Sequence, residues 1–228
     1  MVRGALALGL MALPGAAQAE CFLALALALD VSASVDAREY ALQRDGTAAA
    51  LLAPEVQRAM FARPGAWLAL AVYEWSGRWQ QGLVLDWQEI RTPEDLAAAA
   101  ASVAAAKRSF SEFPTAVGYA LGHGAGLLER APPCIERKID ISGDGINNEG
   151  FSPGLAYRHF DFEGITVNGL VIEGGNERVT DFYRMEVIRG PGAFVEITPD
   201  YEGFETAMRR KLVREIGVVL LGSADGAR

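Results

Sequence analysis

The stretch Phe22-Leu-Ala-Leu-Ala-Leu-Ala-Leu-Asp-Val-Ser-Ala-Ser-Val-Asp36 constrains the fold more than any other. An apolar run ends in an aspartate, and two serines follow at alternate positions, giving Asp30-x-Ser32-x-Ser34. A short bounded run suits a strand buried on both faces, although alanine and leucine also suit a helix. The residues that follow decide. Asp36 with Glu39 forms a capping box, so a helix is expected to begin near Ala37. A buried strand, a polar turn and a helix make the first half of a βαβ unit, and in such sheets ligands bind beyond the carboxyl ends of the strands. Asp30, Ser32 and Ser34 would stand there as oxygen-bearing side chains on one tight turn, a set that suits a hard divalent cation.

The rest of the chain extends that unit. Its 228 residues, half of them hydrophobic, allow one domain or at most two with a sizeable core. Helices are expected over 37–52 and 54–60. A hairpin follows, 67–75 and 79–86 around Ser76-Gly77-Arg78, its more polar second strand at the sheet edge and Trp75 and Trp79 placed to pair across the turn. Thr92-Pro93-Glu94-Asp95 starts an alanine-rich helix to Ala106. Thr115 opens a helix over 116–130, where Gly118, Gly122 and Gly126 share one face and suit close packing. A strand over 136–142 runs into a glycine-rich polar loop, 143–150. A helix (153–162), a strand (165–172), a helix (180–189), a strand (193–197) and a final helix capped by Asp200 complete the chain. This alternation predicts an open, mainly parallel sheet with helices on both faces.

Residues 1–19 read as a signal peptide: Arg3, an apolar stretch over 4–13, and Ala17-Gln-Ala19 as a cleavage site. The expected organisation is therefore 1–19 removed on export, 20–217 as the domain, and a tail, 218–228, too short to span a bilayer. The location implied is the periplasm or the medium. A net charge of −8 without a basic cluster argues against nucleic acid and anionic membrane surfaces. Two cysteines, Cys21 and Cys134, are compatible with a disulfide in an oxidising compartment or with two buried thiols, and their spacing alone does not choose.

Asp30-x-Ser32-x-Ser34, Thr115 and Asp144 all fall at the carboxyl ends of expected strands or open a helix at that level. Together they resemble the von Willebrand factor type A (integrin I-like) domain, whose metal-ion-dependent adhesion site (MIDAS) combines Asp-x-Ser-x-Ser, a distant Thr and a distant Asp-Gly. Thr115 is followed by Ala116-Val-Gly-Tyr-Ala-Leu121, and Asp144-Gly145 follows Ile139-Asp-Ile141. The resemblance covers about residues 22–216. It implies a doubly wound, six-stranded sheet of order 3-2-1-4-5-6 with strand 3 as an antiparallel edge. It also implies a Mg²⁺ or Mn²⁺ site: Ser32, Ser34 and Thr115 contact the cation through hydroxyls and Asp30 and Asp144 through carboxylates, directly or by way of water. One position is left for an Asp or Glu carboxylate of a protein partner, so the implied function is cation-dependent binding without a reaction. The family usually shows a polar residue, often threonine, directly before the second aspartate; here Gly143 stands there, with Ser142 one further back. In the family's sheet strands 1 and 4 lie side by side. Nine residues separate Cys21 from Asp30 and ten separate Cys134 from Asp144, so the resemblance implies a Cys21–Cys134 bridge at the end of the sheet away from the metal.

Two other functions fit the same acids. A Mg²⁺-dependent phosphohydrolase would use Asp30 and Asp144 with Glu149 or Asp36 as base, but it lacks an evident nucleophile and a Lys/Arg cluster for phosphate. A structural domain with a vestigial site would use Ser32, Ser34 and Thr115 only to cap helices, which leaves two neighbouring carboxylates without a counter-ion. His123 and His159, the only histidines, have no partner at metal-ligand spacing. Phe110, Phe113 and Phe151 lie in loops on the side of the site, as buried anchors or as partner contacts.

Overall fold

The computed structural model describes residues 19–217. The expected tail and all but the last residue of the expected signal peptide lie outside the described residues. Strand β1 (Cys21–Asp30) is buried along its whole length, between β2 (Trp67–Trp75) and β4 (Glu136–Gly143), both parallel to it. β3 (Gln81–Ile90) pairs antiparallel with β2 at one edge, and β5 (Ile165–Ile172) and β6 (Val195–Thr198) continue the sheet beyond β4. The order is 3-2-1-4-5-6, as expected. Helices α1 (Ala37–Leu52), α2 (Pro54–Met60), α3 (Pro93–Ala104) and α7 (Phe204–Gly217) cover one face; α4 (Val117–Glu129), α5 (Pro153–His159) and α6 (Glu177–Phe182) cover the other.

The alternation of leucine and alanine along β1 divides these two layers. Successive side chains of a strand point to opposite faces. Leu23, Leu25, Leu27 and Leu29 fill the core beneath α1, α3 and α7, whereas Ala24, Ala26 and Ala28 face the α4 layer. Small side chains on that face let α4 approach closely: a Cβ on Gly124 would lie 2.7 Å from the Tyr73 hydroxyl and 2.9 Å from Ile139 Cδ1. Of the three glycines expected to share a packed face, Gly118 abuts the Phe151 carbonyl and Gly122 the Phe160 ring, but Gly126 meets nothing within 4 Å.

Three expectations need correction. β3 begins at Gln81, because residues 76–80 form the turn, closed by the Ser76 amide donating to the Gln80 carbonyl at 3.0 Å. Trp75 therefore sits opposite Gln81 and is buried, while Trp79 lies in the turn, 80% exposed, with its ring edge-on to Tyr119. The helix expected over 180–189 starts earlier, at Glu177 behind an Asn176 cap, and widens into a π-helical turn over Tyr183–Val187. The last strand starts at Val195 instead of Ala193.

The β1–β4 register is constant from Leu23 opposite Glu136 to Leu29 opposite Ser142. Continued toward the amino end, it brings Cys21 level with Cys134, and the two form a disulfide with Cα atoms 4.5 Å apart. On the other face of β4, Lys211 of α7 is wholly buried with its Nζ 2.8 Å from Asp140 Oδ1, which fastens the last helix to the sheet.

Candidate metal centre

The site forms where β1 and β4 end. Asp30 is the last residue of β1, and Asp144 directly follows β4. The Ser32 amide donates to Asp30 Oδ1 at 2.8 Å, the Ser32 and Ser34 hydroxyls are 3.1 Å apart, and the Ser34 hydroxyl donates to Asp144 Oδ1 at 2.8 Å. A continuous line of polar contacts thus joins the two aspartates. Thr115 stands beside the second one: its Oγ1 is 3.3 Å from the point a Cβ on Gly145 would occupy. The fold therefore gathers Asp30, Ser32, Ser34, Thr115 and Asp144 at the end of the sheet opposite the disulfide.

None of the three hydroxyls caps a helix. α1 is capped by Asp36, whose side chain accepts from the Arg38 and Glu39 amides while Glu39 reaches back, as the capping box predicts. α4 begins two residues after Thr115, and its N-cap Ala116 offers no side chain. Its unpaired first-turn donor is met from another loop instead: the Gly118 amide donates to Asn147 Oδ1 at 3.1 Å. Asn148 brackets Thr115, accepting from the Thr115 amide at 2.9 Å and donating its own amide to the Thr115 carbonyl at 2.9 Å. The 143–150 loop thereby fixes the Thr115 backbone.

Two further residues hold the first loop. The Arg108 guanidinium donates to the Val31 and Ser32 carbonyls at 3.1 and 3.0 Å. Gln43 of α1 donates to the Asp30 carbonyl at 2.8 Å and lies 3.1 Å from the Ser142 hydroxyl, joining the ends of β1 and β4. In the sequence Arg108 is only a charge at a helix end and Gln43 an ordinary helix residue; nothing local distinguishes either. Asp36 and Glu149, considered as possible bases, are engaged elsewhere: Asp36 caps α1, and Glu149 pairs with Arg78 at 3.4 Å. Of the loop aromatics, Phe110 packs against the core with Phe113 edge-on to it, and Phe151 stacks on Tyr119 at 4.0 Å. His123 packs against the Tyr73 ring.

Asp30 is fully buried. Burial first, and then the neighbouring Asp144, push its carboxyl up to about 7 in spite of the bonds from Ser32. Its Oδ2 has no hydrogen-bond partner among the described residues, and no ion pair among them reaches Asp30 or Asp144. Nor do the described residues contain a cluster of three His, Cys, Asp or Glu suited to a metal. The donor set here is two carboxylates with hydroxyls, all hard oxygen, which fits Mg²⁺ or Mn²⁺ far better than a soft metal. The hydroxyls of Tyr183 and Tyr201 approach the same acids; burial, then Asp30 and Asp144, raise the Tyr183 phenol, and burial, then Asp144 and Asp30, raise that of Tyr201.

A family profile described as "Protein of unknown function (DUF1194)" matches residues 20–219. The chain belongs to that family. No curated protein matches the sequence. Among solved structures, proximal thread matrix protein 1 from the mussel byssus superposes with a TM-score of 0.62 at 15% identity, over 87% of this chain and 49% of that one. One structure of that mussel protein has a zinc-occupied MIDAS motif. A von Willebrand factor type A protein from Catenulispora acidiphila gives 0.61 at 15% identity, over 87% of this chain and 43% of its own. An aerotolerance-related membrane protein from Bacteroides fragilis gives 0.53 at 18% identity, over 83% and 98%. The DUF1194 chain thus has the von Willebrand factor type A fold, and it spans about half the length or less of the first two of these proteins.

Proposed function

We propose that the chain is an exported protein-binding module that takes an Asp or Glu carboxylate of a partner at a divalent cation, Mg²⁺ or Mn²⁺. The observation that carries this is the pair Asp30 and Asp144, held together by the Ser32–Ser34 line, with Asp30 Oδ2 buried and unpaired. A buried carboxylate beside another, with no basic side chain, requires a cation or a proton. Asp30 and Asp144 would hold the cation together with the hydroxyls of Ser32, Ser34 and Thr115. When bound, the cation supplies a Lewis-acid position open to an outside carboxylate. The chain's own contribution is geometric: Asn148 and Arg108 fix the two loops, and neutral hydroxyls leave more positive charge for the partner than further carboxylates would. The zinc-occupied MIDAS of the mussel matrix protein supports the choice of a divalent cation. Export rests on residues 1–19; among the described residues no helix is long and apolar enough to cross a membrane. The phosphohydrolase alternative draws no support from the engaged Asp36 and Glu149.

The test combines stability and capture. Mg²⁺ or Mn²⁺ should raise the melting temperature of the wild type, since a ligand that binds only the native state stabilises it. Asp144→Ala should remove that gain. A partner captured from the cell's envelope in Mg²⁺ should be released by EDTA and should not bind Asp144→Ala. Capture that survives EDTA, or turnover of simple phosphoesters in Mg²⁺, would sink the proposal.

A further inference from the structure

The backbone ladder between β1 and β4 stops just short of the metal centre. Its last rung is Leu29 opposite Ser142. Asp30 pairs with Trp75 on β2, and Gly143 pairs with Val171 on β5, but the two are not paired with each other. The strand ends that carry Asp30 and lead into Asp144 therefore have no ladder between them. Neighbouring strands lie about 4.8 Å apart where they are bonded. Beyond the last rung the ladder no longer fixes how far they part.

The side chain of Gln43 joins these two ends. It comes from the second turn of α1 and is wholly buried. Its Nε2 donates to the Asp30 carbonyl at 2.8 Å, and its Oε1 lies 3.1 Å from the Ser142 hydroxyl. That hydroxyl is also 3.1 Å from the Ala28 carbonyl, so its one proton is shared between β1 and the glutamine. A primary amide carries both the donor and the acceptor of a peptide group. Gln43 thus supplies a side-chain rung where the backbone rungs have ended. Its orientation is determined as well: a carbonyl only accepts, so Nε2 faces Asp30 and Oε1 faces Ser142. One turn further along α1, the Thr47 hydroxyl donates to the Gln43 carbonyl at 2.8 Å.

We propose that Gln43 is a positioning residue of the metal centre: by bridging Asp30 and Ser142 beyond the last rung, it sets the separation of the two aspartates that take the cation. The inference rests on the cation site proposed above. Gln43 is not itself a ligand; it acts on the strand ends. Asp30 is held through its own carbonyl, and Ser142 lies two residues before Asp144. A shift of either strand end therefore moves one carboxylate relative to the other. Mg²⁺ demands near-ideal octahedral geometry with ligands at about 2.0–2.1 Å, so small displacements matter. Residues that hold the ligands from behind accordingly govern metal affinity strongly.

The test is direct Mn²⁺ binding to the full chain, read from the electron paramagnetic resonance signal of the free ion, with urea unfolding to check the fold. Gln43→Met keeps the length of the side chain and removes both bonds. It should be less stable than wild type, because buried polar groups lose their partner. Its Mn²⁺ dissociation constant should rise about tenfold or more. Ser142→Ala removes only the far end of the bridge and should raise that constant about threefold; if Gln43→Met does not fold, this variant decides. The double variant should bind little worse than Gln43→Met alone, since both changes break one connection. Replacing Cys21 and Cys134 by serine controls for lost stability: it should weaken folding and leave Mn²⁺ binding at the wild-type level. Wild-type affinity in Gln43→Met or, failing that, in Ser142→Ala overturns the inference while the metal site stands. An equal loss of affinity in the disulfide-free variant does the same. A wild type that binds no Mn²⁺, or binds it equally well with Asp144→Ala, overturns the cation site and the inference together.

Discussion

Asp30 carries opposing demands. Its backbone closes β1, its Oδ1 accepts from Ser32, and its Oδ2 is buried beside Asp144 with no partner among the described residues to balance the charge. Without a cation the carboxyl is pushed up to about 7 from its ordinary 3.8, first by burial and then by Asp144. Between those values the native state binds a proton that the unfolded chain does not, so metal-free stability falls as pH rises through that window. The expected outcome in EDTA is a wild-type melting temperature that declines between about pH 4 and about pH 7. Asp30→Asn removes the charge but keeps the acceptor to Ser32. It should be more stable than wild type at the upper end, show a shallower decline and gain nothing from Mg²⁺. Some slope will remain, because Asp140, also pushed up to about 7 and mainly by burial, acts in the same direction. Calorimetry across that range decides it: an Asn variant less stable than wild type in EDTA at the upper end would show that the folded chain itself balances the Asp30 charge.

Helix α4 shows how one element serves both packing and the site. Its glycines are poor helix formers, yet Gly118, Gly122 and Gly124 each stand where a side chain would collide with a neighbour. Gly118 also donates its amide to Asn147, on the loop that pins Thr115. Gly126 has open space. The two ends of the predicted glycine face should therefore respond with opposite signs. Gly126→Ala should stabilise by about 0.5–1 kcal/mol through helix propensity. Gly118→Ala should destabilise by about 1–3 kcal/mol, because its Cβ meets the Phe151 carbonyl. It should also weaken the response to Mg²⁺ by displacing the loop that carries Asn147 and Asn148. Urea unfolding of both variants reads the signs directly; equal effects would contradict the packing described for α4.

At the scale of the molecule, one strand pair carries the two ends of the design. β1 and β4 run parallel in constant register, with the Cys21–Cys134 bridge at one end and Asp30 and Asp144 at the other. The ten residues of β1 separate them by roughly 30 Å. The bridge spans a sequence separation of 113 and restricts the unfolded chain, so replacing both cysteines by serine should cost about 2–5 kcal/mol. The midpoint of Mg²⁺ stabilisation should stay as it was, since the bridge touches no residue of the site. Chemical unfolding with and without reductant, followed by a Mg²⁺ titration, separates the two effects. A Mg²⁺ midpoint that moves with the disulfide would show that the two ends are coupled.

What the sequence determined by itself was short-range. The apolar run ending in Asp30, the Asp36–Glu39 and Thr92–Asp95 capping boxes, and the order of strands and helices follow from periodicity and capping within a few residues, and each has its counterpart in the structure. The sheet order and the bridge needed one step more, a resemblance carried by Asp30-x-Ser32-x-Ser34, Thr115 and Asp144, because no local pattern says which strands are neighbours. Tertiary structure alone decided the rest. The leucines and alanines of β1 acquire different meanings only once helices of different bulk lie on the two faces. Trp79 is exposed because the turn consumes five residues, 76–80, a count that its composition leaves open. Asn147, Asn148 and Arg108 reach the site from other loops, where contact depends on which strand ends lie side by side. Sequence spacing reports which groups share an element; it is silent on which elements come to lie within a hydrogen bond of each other.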